Sequence, residues 1–319
     1  MLRAAVALLL CLPLAAGSSY DGAAFKNRVA AIAAGADRAA RRGAIAAQLT
    51  ALGISYRLEE FSAGGRTGVN ILASLPAPPD AKREILLGAH SDRVEAGQGA
   101  VDDASGVSAV LELLAAFQRA PLTSFRVSAA FFDLEEAGLL GSGAFVAAHR
   151  ESLPAVYLNF DVFAYGRTLW VGSANDQAPS ARTVREAAAA SRFSLVMGPD
   201  YPPGDDRVFV AAKVETLGVS LIEGREIRGI LDFYHGRRPA EVPRAITILH
   251  TANDTPDKIA GGDVARALPV VEQAIRLLDA LRSGAGATKR AGPARAASVA
   301  VLEEGGTACL TRSAATIGS

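Results

Sequence analysis

The sequence predicts an α/β fold of three layers, in which helices cover both faces of a central sheet that is mixed and mainly parallel. Strand-like apolar runs alternate along the chain with runs that have the period of amphipathic helices. The strand-like runs are apolar nearly throughout, which is typical of strands buried on both faces. Because 50% of the 319 residues are hydrophobic, the chain can form the large core that such a fold needs.

The predicted elements follow one another from residue 39 to residue 281. Ser105 can cap a helix with its side-chain oxygen, and Pro256 suits the first position of another. Pro269 predicts a start or a kink within the last helix. The predicted strands are Ile54–Phe61, Gly68–Leu75, 84–89, Arg126–Phe132, Ala155–Phe160, Gly218–Ile222 and Ala245–Leu249. The predicted helices are Ala39–Leu52, Ser105–Gln118, Gly143–Arg150, Ala181–Ser191, one that begins at Pro256, and Val264–Leu281.

Both ends of the chain differ in composition from its middle. Arg3 precedes an apolar run over residues 4–16 and small residues at 17–19, which is the layout of a secretory signal. After residue 284 the chain turns to Gly, Ala, Thr, Lys, Arg and Pro, a composition that predicts a mostly disordered tail. We therefore expect a signal peptide over 1–19, one domain over 20–284 and a tail over 285–319. The mature protein is expected to be exported, periplasmic or secreted, and free of the membrane.

Composition excludes several classes of protein. The 33 Lys and Arg residues balance 33 Asp and Glu residues, so we expect no nucleic-acid partner. The only thiols are Cys11 and Cys309, too few for a disulfide scaffold or a cysteine-rich zinc module. The sequence also lacks a His-Glu-x-x-His helix, a Gly-x-Ser-x-Gly elbow and a phosphate-binding loop.

Histidines or acids follow four of the predicted strands. In open α/β sheets, ligands bind beyond the carboxyl ends of the strands, so these side chains are expected to converge. Imidazoles and carboxylates with no thiol nearby suit hard or borderline divalent metals. The residues are His90, the pair Glu135–Glu136, Asp161 and His250. Each of them alone would be an ordinary strand-end or turn residue, so their joint occurrence carries the prediction of one metal site.

Neighbouring acids suit supporting roles. Asp92 can accept the second ring N–H of His90 and fix its tautomer. Asp102 and Asp103 precede a tight turn into a helix, where one carboxylate can reach a metal. Glu135 and Glu136 offer two carboxylates, one to bind a metal and one to take a proton from water.

Five motifs in this order resemble the dizinc aminopeptidase family (peptidase family M twenty-eight), over roughly residues 38–282. Single motifs are weak, but five in the right order and spacing are specific. They are His90-Ser-Asp92, Val101-Asp-Asp-Ala-Ser-Gly106, Asp133-Leu-Glu-Glu-Ala-Gly-Leu-Leu-Gly-Ser142, Leu158-Asn-Phe-Asp161 and His250-Thr-Ala-Asn-Asp-Thr-Pro256.

The resemblance implies the zinc-exopeptidase fold and a role for each matching residue. It implies two Zn²⁺ per chain, bridged by Asp102, whose bond to Asp103 is cis in the family. His90 and Asp161 would complete one zinc site, and Glu136 and His250 the other. The remaining roles are Glu135 as general base, Asp92 as the acid that orients His90, and Tyr201 as the group that stabilises the tetrahedral intermediate.

Two segments depart from the family pattern. The usual Ser-Asp-His run reads Gly204-Asp205-Asp206 here. The Arg-rich segment Gly224–Arg244 is also unusual, and we expect it to line or cover the pocket.

The function implied is that of a zinc-dependent aminopeptidase, which hydrolyses the N-terminal residue of peptide or aminoacyl substrates with a water activated by two metals. Carboxypeptidase or dipeptidase specificity stays open, as does the oligomeric state. A glutaminyl cyclase with one zinc shares this fold, and a complete set of five ligands disfavours it. A non-catalytic binding module of the same fold is a further alternative, which the presence of every expected ligand also disfavours.

Overall fold

The computed structural model describes residues 20–290, and side chains as far as Arg282. An eight-stranded sheet runs through the domain in the order β1-β2-β4-β3-β5-β8-β6-β7. The strands are β1 (Ser55–Ala63), β2 (Arg66–Ser74), β3 (Arg83–His90), β4 (Phe125–Phe132), β5 (Val156–Phe163), β6 (Thr168–Ser173), β7 (Ser194–Gly198) and β8 (Glu215–Ile222).

The sheet is mixed, with its parallel strands at the centre. β4, β3, β5 and β8 run parallel to one another. β2 joins β4 antiparallel and β1 joins β2 as a hairpin, while β6 lies antiparallel to β8 and parallel to β7. The predicted α/β class and mixed sheet are thus confirmed.

Helices cover both faces. The helices are α1 (Gly22–Ala33), α2 (Arg38–Ala51), α3 (Ser105–Arg119), α4 (Leu140–Ala148), α5 (Pro179–Ala190), α6 (Asp206–Ala211), α7 (Ile227–Tyr234), α8 (Arg244–Ile248) and α9 (Gly261–Arg290). α1, α3, α5 and α9 pack together over one face, and α4 and α6 over the other. Alternate residues of β3 enter the two cores: Ile85 and Leu87 face the larger one, and Leu86 faces the smaller one with Phe132 and Phe209. Among the described residues, no helix is long and apolar enough to span a bilayer.

The predicted strand Ala245–Leu249 is wrong, because this segment forms the short helix α8. Its β-branched residues favour a strand, but Pro243 precedes the first turn and the N–H of Leu249 donates to the carbonyl of Ala245. The segment has no partner strand in the sheet. His250 therefore follows a helix and not a strand.

Several short elements are not among those predicted: α1, α6, α7, β6 and β7. Pro269 lies inside α9 without ending it, and this helix continues to Arg290, past the predicted domain end at 284. The predicted signal peptide and the predicted tail beyond residue 290 lie outside the described residues.

Candidate active site

Three neighbouring parallel strands bring polar side chains to one edge of the sheet. His90 ends β3, the pair 135–136 follows β4, and Asp161 lies near the end of β5. Because β3 is parallel to both β4 and β5, these three ends meet, as the sequence predicts. The side chains line one cavity of about 290 Å³, together with Asp102 and His250.

Asp102 lies between the two imidazoles. Its Oδ1 is 2.8 Å from Nε2 of His90, and its Oδ2 is 3.1 Å from Nε2 of His250. The same nitrogen of His250 is 3.2 Å from Oε2 of Glu136. The peptide bond between Asp102 and Asp103 is cis, as the family resemblance implies.

Two groups of side chains that could hold a metal ion share His90. Ligand atoms of His90, Asp103 and Asp161 all lie within 4.8 Å of one another, as do those of His90, Asp102 and Glu136. Oδ1 of Asp103 accepts the N–H groups of Gly106 (2.9 Å) and Val162 (3.3 Å). A Cβ at position 106 would collide with the Asp103 carboxylate, which explains why glycine stands there.

Asp92 joins two of the loops that carry the site. Its Oδ1 is 3.5 Å from Nδ1 of His90. Its two oxygens also accept the backbone N–H groups of Glu135 (3.0 Å) and Glu136 (3.3 Å). Asp92 therefore holds the turn after β4 as well as facing the histidine.

Two further residues that the sequence reasoning missed fix the loop before Asp102. The buried Arg41 of α2 donates to the carbonyls of Ser91 (2.8 Å), Gln98 (2.9 Å) and Gly99 (3.2 Å). Asp254 accepts the N–H groups of Val101 (2.6 Å) and Asp102 (3.2 Å). Asp254 belongs to the motif that follows His250, but nothing in its sequence position reveals a partner about 150 residues earlier.

The backbone around the site is unusual. Leu134, Val162 and His250 have φ values of 61°, 56° and 57°, in the left-handed region that glycine favours. Such a conformation costs about 1–3 kcal/mol for other residues, and it is held only where the surroundings fix it. Glu135 and Asp161 each adjoin one of these residues, so the strain is located where carboxylates are aimed into the cavity.

Burial, hydrogen bonds and neighbouring charges shift the pKa values in the cavity. Burial raises the pKa of Glu135 to about 9, with further increases from Asp205 and Asp161 that the charge of His90 opposes. Burial and the charge of Asp102 raise the pKa of Asp161 to about 7. Hydrogen bonds with Asp102 and Glu136 raise the pKa of His250 to about 10.

Asp102 and His90 are shifted in opposite directions. Burial opposes the shift of Asp102, but hydrogen bonds with His250 and His90 hold its pKa below the ordinary range. Burial alone would lower the pKa of His90, and hydrogen bonds with Asp102 and Asp92 raise it well above the ordinary value. The two imidazoles thus supply too little positive charge to balance the carboxylates of the cavity.

One wall of the cavity is apolar and aromatic. It includes Val162, Trp170, Ile222, Ile230, Tyr234 and Leu249. Tyr201 lines it as well, with its hydroxyl 2.5 Å from Oγ of Ser220, which donates to the backbone carbonyl of Asp161 at 2.6 Å. Asp205 is buried, and that burial raises its pKa to about 7. The segment 224–244 contributes Ile230 and Tyr234, so it lines the pocket as predicted.

The donor set fits divalent cations. Oε1 of Glu136 and Oδ2 of Asp103 are buried and accept no hydrogen bond from a described residue. Buried carboxylates without such partners are costly unless a cation compensates them. Imidazole nitrogens and carboxylate oxygens are ligands that zinc accepts.

Comparison with known proteins agrees with this geometry. The model of peptidase family M28 matches residues 70–275. Leupeptin-inactivating enzyme 1 of Streptomyces exfoliatus is 36% identical over 120 residues, which are 36% of this chain and 27% of that protein. The probable lipoprotein aminopeptidase LpqL of Mycobacterium tuberculosis is 42% identical over 87 residues, which are 25% of this chain and 17% of that protein. These matches thus span about a quarter or less of the length of either relative.

Solved structures share the fold at low sequence identity. BSAP, a zinc aminopeptidase from Bacillus subtilis, aligns with a TM-score of 0.53 and 23% identity over 66% of this chain and 50% of that one. A glutaminyl cyclase from Bacteroides thetaiotaomicron aligns with a TM-score of 0.65 and 18% identity over 82% of this chain and 99% of that one. Since the family model covers more than half of the sequence, the chain belongs to peptidase family M28.

Proposed function

We propose that this chain is a zinc-dependent exopeptidase, specifically an aminopeptidase that removes the N-terminal residue of peptide or aminoacyl substrates. One observation carries the proposal: two imidazoles and four carboxylates meet in a single cavity whose opposite wall is apolar. Membership of a peptidase family supports peptide bonds as the substrate. Aminopeptidases among the relatives support action at the N-terminus.

We assign the metal ligands to two sites that share Asp102. His90, Asp102 and Asp161 would hold one zinc ion, and Asp102, Glu136 and His250 the other. The contacts of Asp102 with both imidazoles support its bridging position. When bound, such a pair of ions acidifies water and polarises the scissile carbonyl.

Glu135 is the proposed general base. Its side chain lines the cavity, and burial raises its pKa, which favours the protonated form there. Cations bound nearby would lower that pKa toward neutrality, where a carboxylate can accept a proton from the attacking water and pass it to the leaving amine. Asp92 positions this group through the backbone N–H of Glu135.

The cavity also suggests how a substrate is oriented. Its acidic end favours the free amino group of an N-terminal residue, because an amine nitrogen is a ligand that zinc held there would accept. Its apolar wall, which includes Val162, Ile222 and Ile230, suits an apolar side chain. A peptide with a blocked N-terminus lacks the group that the acidic end would bind, so it is expected to be a poor substrate.

The decisive test substitutes the proposed base. Glu135→Gln keeps the shape of the side chain but removes the proton acceptor, so hydrolysis of aminoacyl p-nitroanilides should fall by about 10²–10⁴-fold. Zinc content measured by mass spectrometry should stay near two ions per chain, as in the wild type. Glu151→Gln, an exposed acid after α4, is the matched control and should keep full activity. Wild-type turnover in Glu135→Gln would disprove the role of Glu135.

A glutaminyl cyclase is the second candidate, because the structural match covers 99% of a known cyclase chain. A cyclase would release ammonia from N-terminal glutamine peptides and form pyroglutamate. An aminopeptidase would release the free amino acid instead. One zinc per chain together with pyroglutamate formation would favour the cyclase and overturn the proposal.

Export belongs to the proposal as well. Residues 1–19 have the composition of a secretory signal, although they lie outside the described residues. The measured mass of the protein recovered from the periplasm or medium should correspond to a chain that begins near residue 20. Recovery of the full-length chain only from the cytoplasm would contradict export.

A further inference from the structure

Tyr234 lines the cavity, and its hydroxyl group is available to a substrate. It ends α7, within the segment 224–244 that distinguishes this chain from the family pattern. Its side chain lines the same cavity as Glu135 and Asp161, and the residue is 46% exposed. No described residue forms a hydrogen bond with its hydroxyl group, so the phenol can serve an incoming molecule.

Peptide hydrolysis would be accelerated by a hydrogen-bond donor in this cavity. Attack on the scissile carbonyl places a negative charge on its oxygen, and a donor fixed beside that oxygen stabilises the transition state. Side-chain donors that line the cavity, apart from the metal-type histidines, are the hydroxyls of Tyr201, Ser220 and Tyr234 and the indole N–H of Trp170.

The hydroxyl proton of Tyr201 is already used. Ser220 Oγ donates its only proton to the carbonyl of Asp161, which can only accept. The 2.5 Å contact between Tyr201 and Ser220 therefore requires the tyrosine to be the donor. Stabilising an oxyanion would require Tyr201 to abandon that bond.

The ring of Tyr201 has little freedom to find another partner. It lies against Gly172 of β6 and Gly218 of β8, where any Cβ atom would collide with it. Trp170 packs edge-on against it, with ring centroids 4.9 Å apart. The chain from Tyr201 through Ser220 to the Asp161 carbonyl is thus a rigid support beneath a proposed metal ligand.

The surroundings keep the Tyr234 hydroxyl protonated. Partial burial and the negative charges of Asp161 and Asp102, followed by Glu135 and Glu136, raise the pKa of Tyr234 above its ordinary value. Tyr234 lines the same cavity as all four of these carboxylates. Trp170 lies deeper, on β6 beside Tyr201.

We propose that Tyr234 donates a hydrogen bond to the carbonyl oxygen that becomes negative during hydrolysis, and that Tyr201 positions Ser220 and Asp161. The first role makes Tyr234 a catalytic residue, and the second makes Tyr201 a positioning residue. This inference rests on the proposed peptidase activity. It differs from the family resemblance, which gives the stabilising role to Tyr201.

The test compares Tyr234→Phe with Tyr201→Phe, Trp170→Phe and the control Tyr56→Phe, an exposed tyrosine on β1. Each zinc-loaded protein is assayed with the aminoacyl p-nitroanilide that the wild type cleaves best. Calorimetry then measures the affinity for the phosphonic acid analogue of that amino acid, whose tetrahedral anion mimics the transition state, and for the free amino acid. Circular dichroism checks that every variant is folded.

Tyr234→Phe should lower kcat by about 10²-fold and weaken the phosphonic acid analogue by a similar factor. Its KM and its affinity for the free amino acid should change little, because the lost hydrogen bond forms only as charge develops. Unchanged kcat and unchanged analogue affinity in Tyr234→Phe would overturn the inference. The selective loss appearing instead in Tyr201→Phe or Trp170→Phe would overturn it too. A wild type without peptidase activity would instead refute the proposed function itself.

Discussion

Two aspartates, the half-buried Asp161 and the buried Asp279, show how differently this fold treats a carboxylate. Asp279 of α9 accepts the N–H groups of Ser124 (2.7 Å), Thr123 (2.9 Å) and Phe125 (3.1 Å), and also the Thr123 hydroxyl. No described residue donates a hydrogen bond to the carboxylate of Asp161, whose neighbours in the cavity are His90 and Asp103. The fold supplies hydrogen-bond donors to Asp279, whereas Asp161 lines the cavity and is accessible to a ligand.

The difference separates acids that hold the structure from acids that hold a ligand. Asp279 connects α9 to the start of β4, and the cavity lies beyond the other end of that strand. Asp161 lies among other acids, which raise its pKa. The supply of donors within the fold separates the two roles, since a carboxylate that lacks such donors inside a cavity is stabilised by a cation or by protonation.

The largest effect is expected where the unsatisfied acid is neutralised. Asp161→Asn removes a charged ligand, so zinc affinity should fall by more than the 10–100-fold typical of residues that only support a metal ligand. Activity should be lost with the metal. Titration with a zinc indicator measures the affinity, and Asp80→Asn, an exposed acid, is the control. If Asp161→Asn bound zinc as tightly as the wild type, Asp161 would not be a metal ligand.

Removing the satisfied acid should act on stability instead. Asp279→Ala leaves several backbone donors at the start of β4 without a partner, so the free energy of unfolding should fall by about 3 kcal/mol. Urea unfolding measures this, with Asp80→Ala as control. Zinc stoichiometry of the folded protein should stay unchanged. A loss of metal without a loss of stability would show that the two classes of acid are not separate.

Much of the cavity could be predicted because its residues occupy fixed places on adjacent strands. His90, Glu136 and Asp161 follow or end buried strands, and parallel strand ends converge by geometry alone. His250 lines the cavity as expected, but it follows α8 and not a strand. Its β-branched neighbours favour a strand that does not form.

The supporting contacts could not be predicted, because they join residues far apart in the chain. Arg41 donates to carbonyls 50 to 58 residues later, and Asp254 accepts from N–H groups about 150 residues earlier. Such backbone partners leave no pattern of residue types in the sequence. The same holds for Tyr234, whose place beside the acids depends on how α7 lies over the pocket.

A smaller effect is expected at Arg41, a residue that the fold satisfies but that also supports the candidate metal site. It is satisfied by carbonyl groups, yet it fixes the loops that carry His90 and Asp102. Arg41→Lys keeps the charge, but an ammonium group cannot form the three hydrogen bonds that the planar guanidinium group donates. Zinc affinity should therefore fall about 10–100-fold. The neighbouring Arg42→Lys is the matched control. Equal zinc affinity in both variants would show that the hydrogen bonds of the Arg41 guanidinium group do not position the metal ligands.

The last prediction concerns the protein after its metal is removed with a chelator. The folded-state pKa values of Asp161 (about 7) and Glu135 (about 9) exceed their ordinary values near 3.8 and 4.5. Between these limits the folded chain keeps protons that the unfolded chain has released. The free energy of unfolding should therefore decrease as pH rises from about 5 to 9, by about 1.4 kcal/mol per pH unit for each retained proton.

The raised pKa of His250, about 10, acts in the same direction, since the charged imidazole stabilises the folded state until pH passes that value. Zinc binding reverses the trend, because its ligands must be deprotonated and bind more tightly as pH rises. Urea unfolding across this pH range, with and without chelator, should give curves that diverge. Asp161→Asn should flatten the chelated curve below pH 7, whereas Asp80→Asn should leave it unchanged. A chelated wild type that becomes more stable toward pH 9 would mean that donors within the fold already satisfy these acids, as they do Asp279.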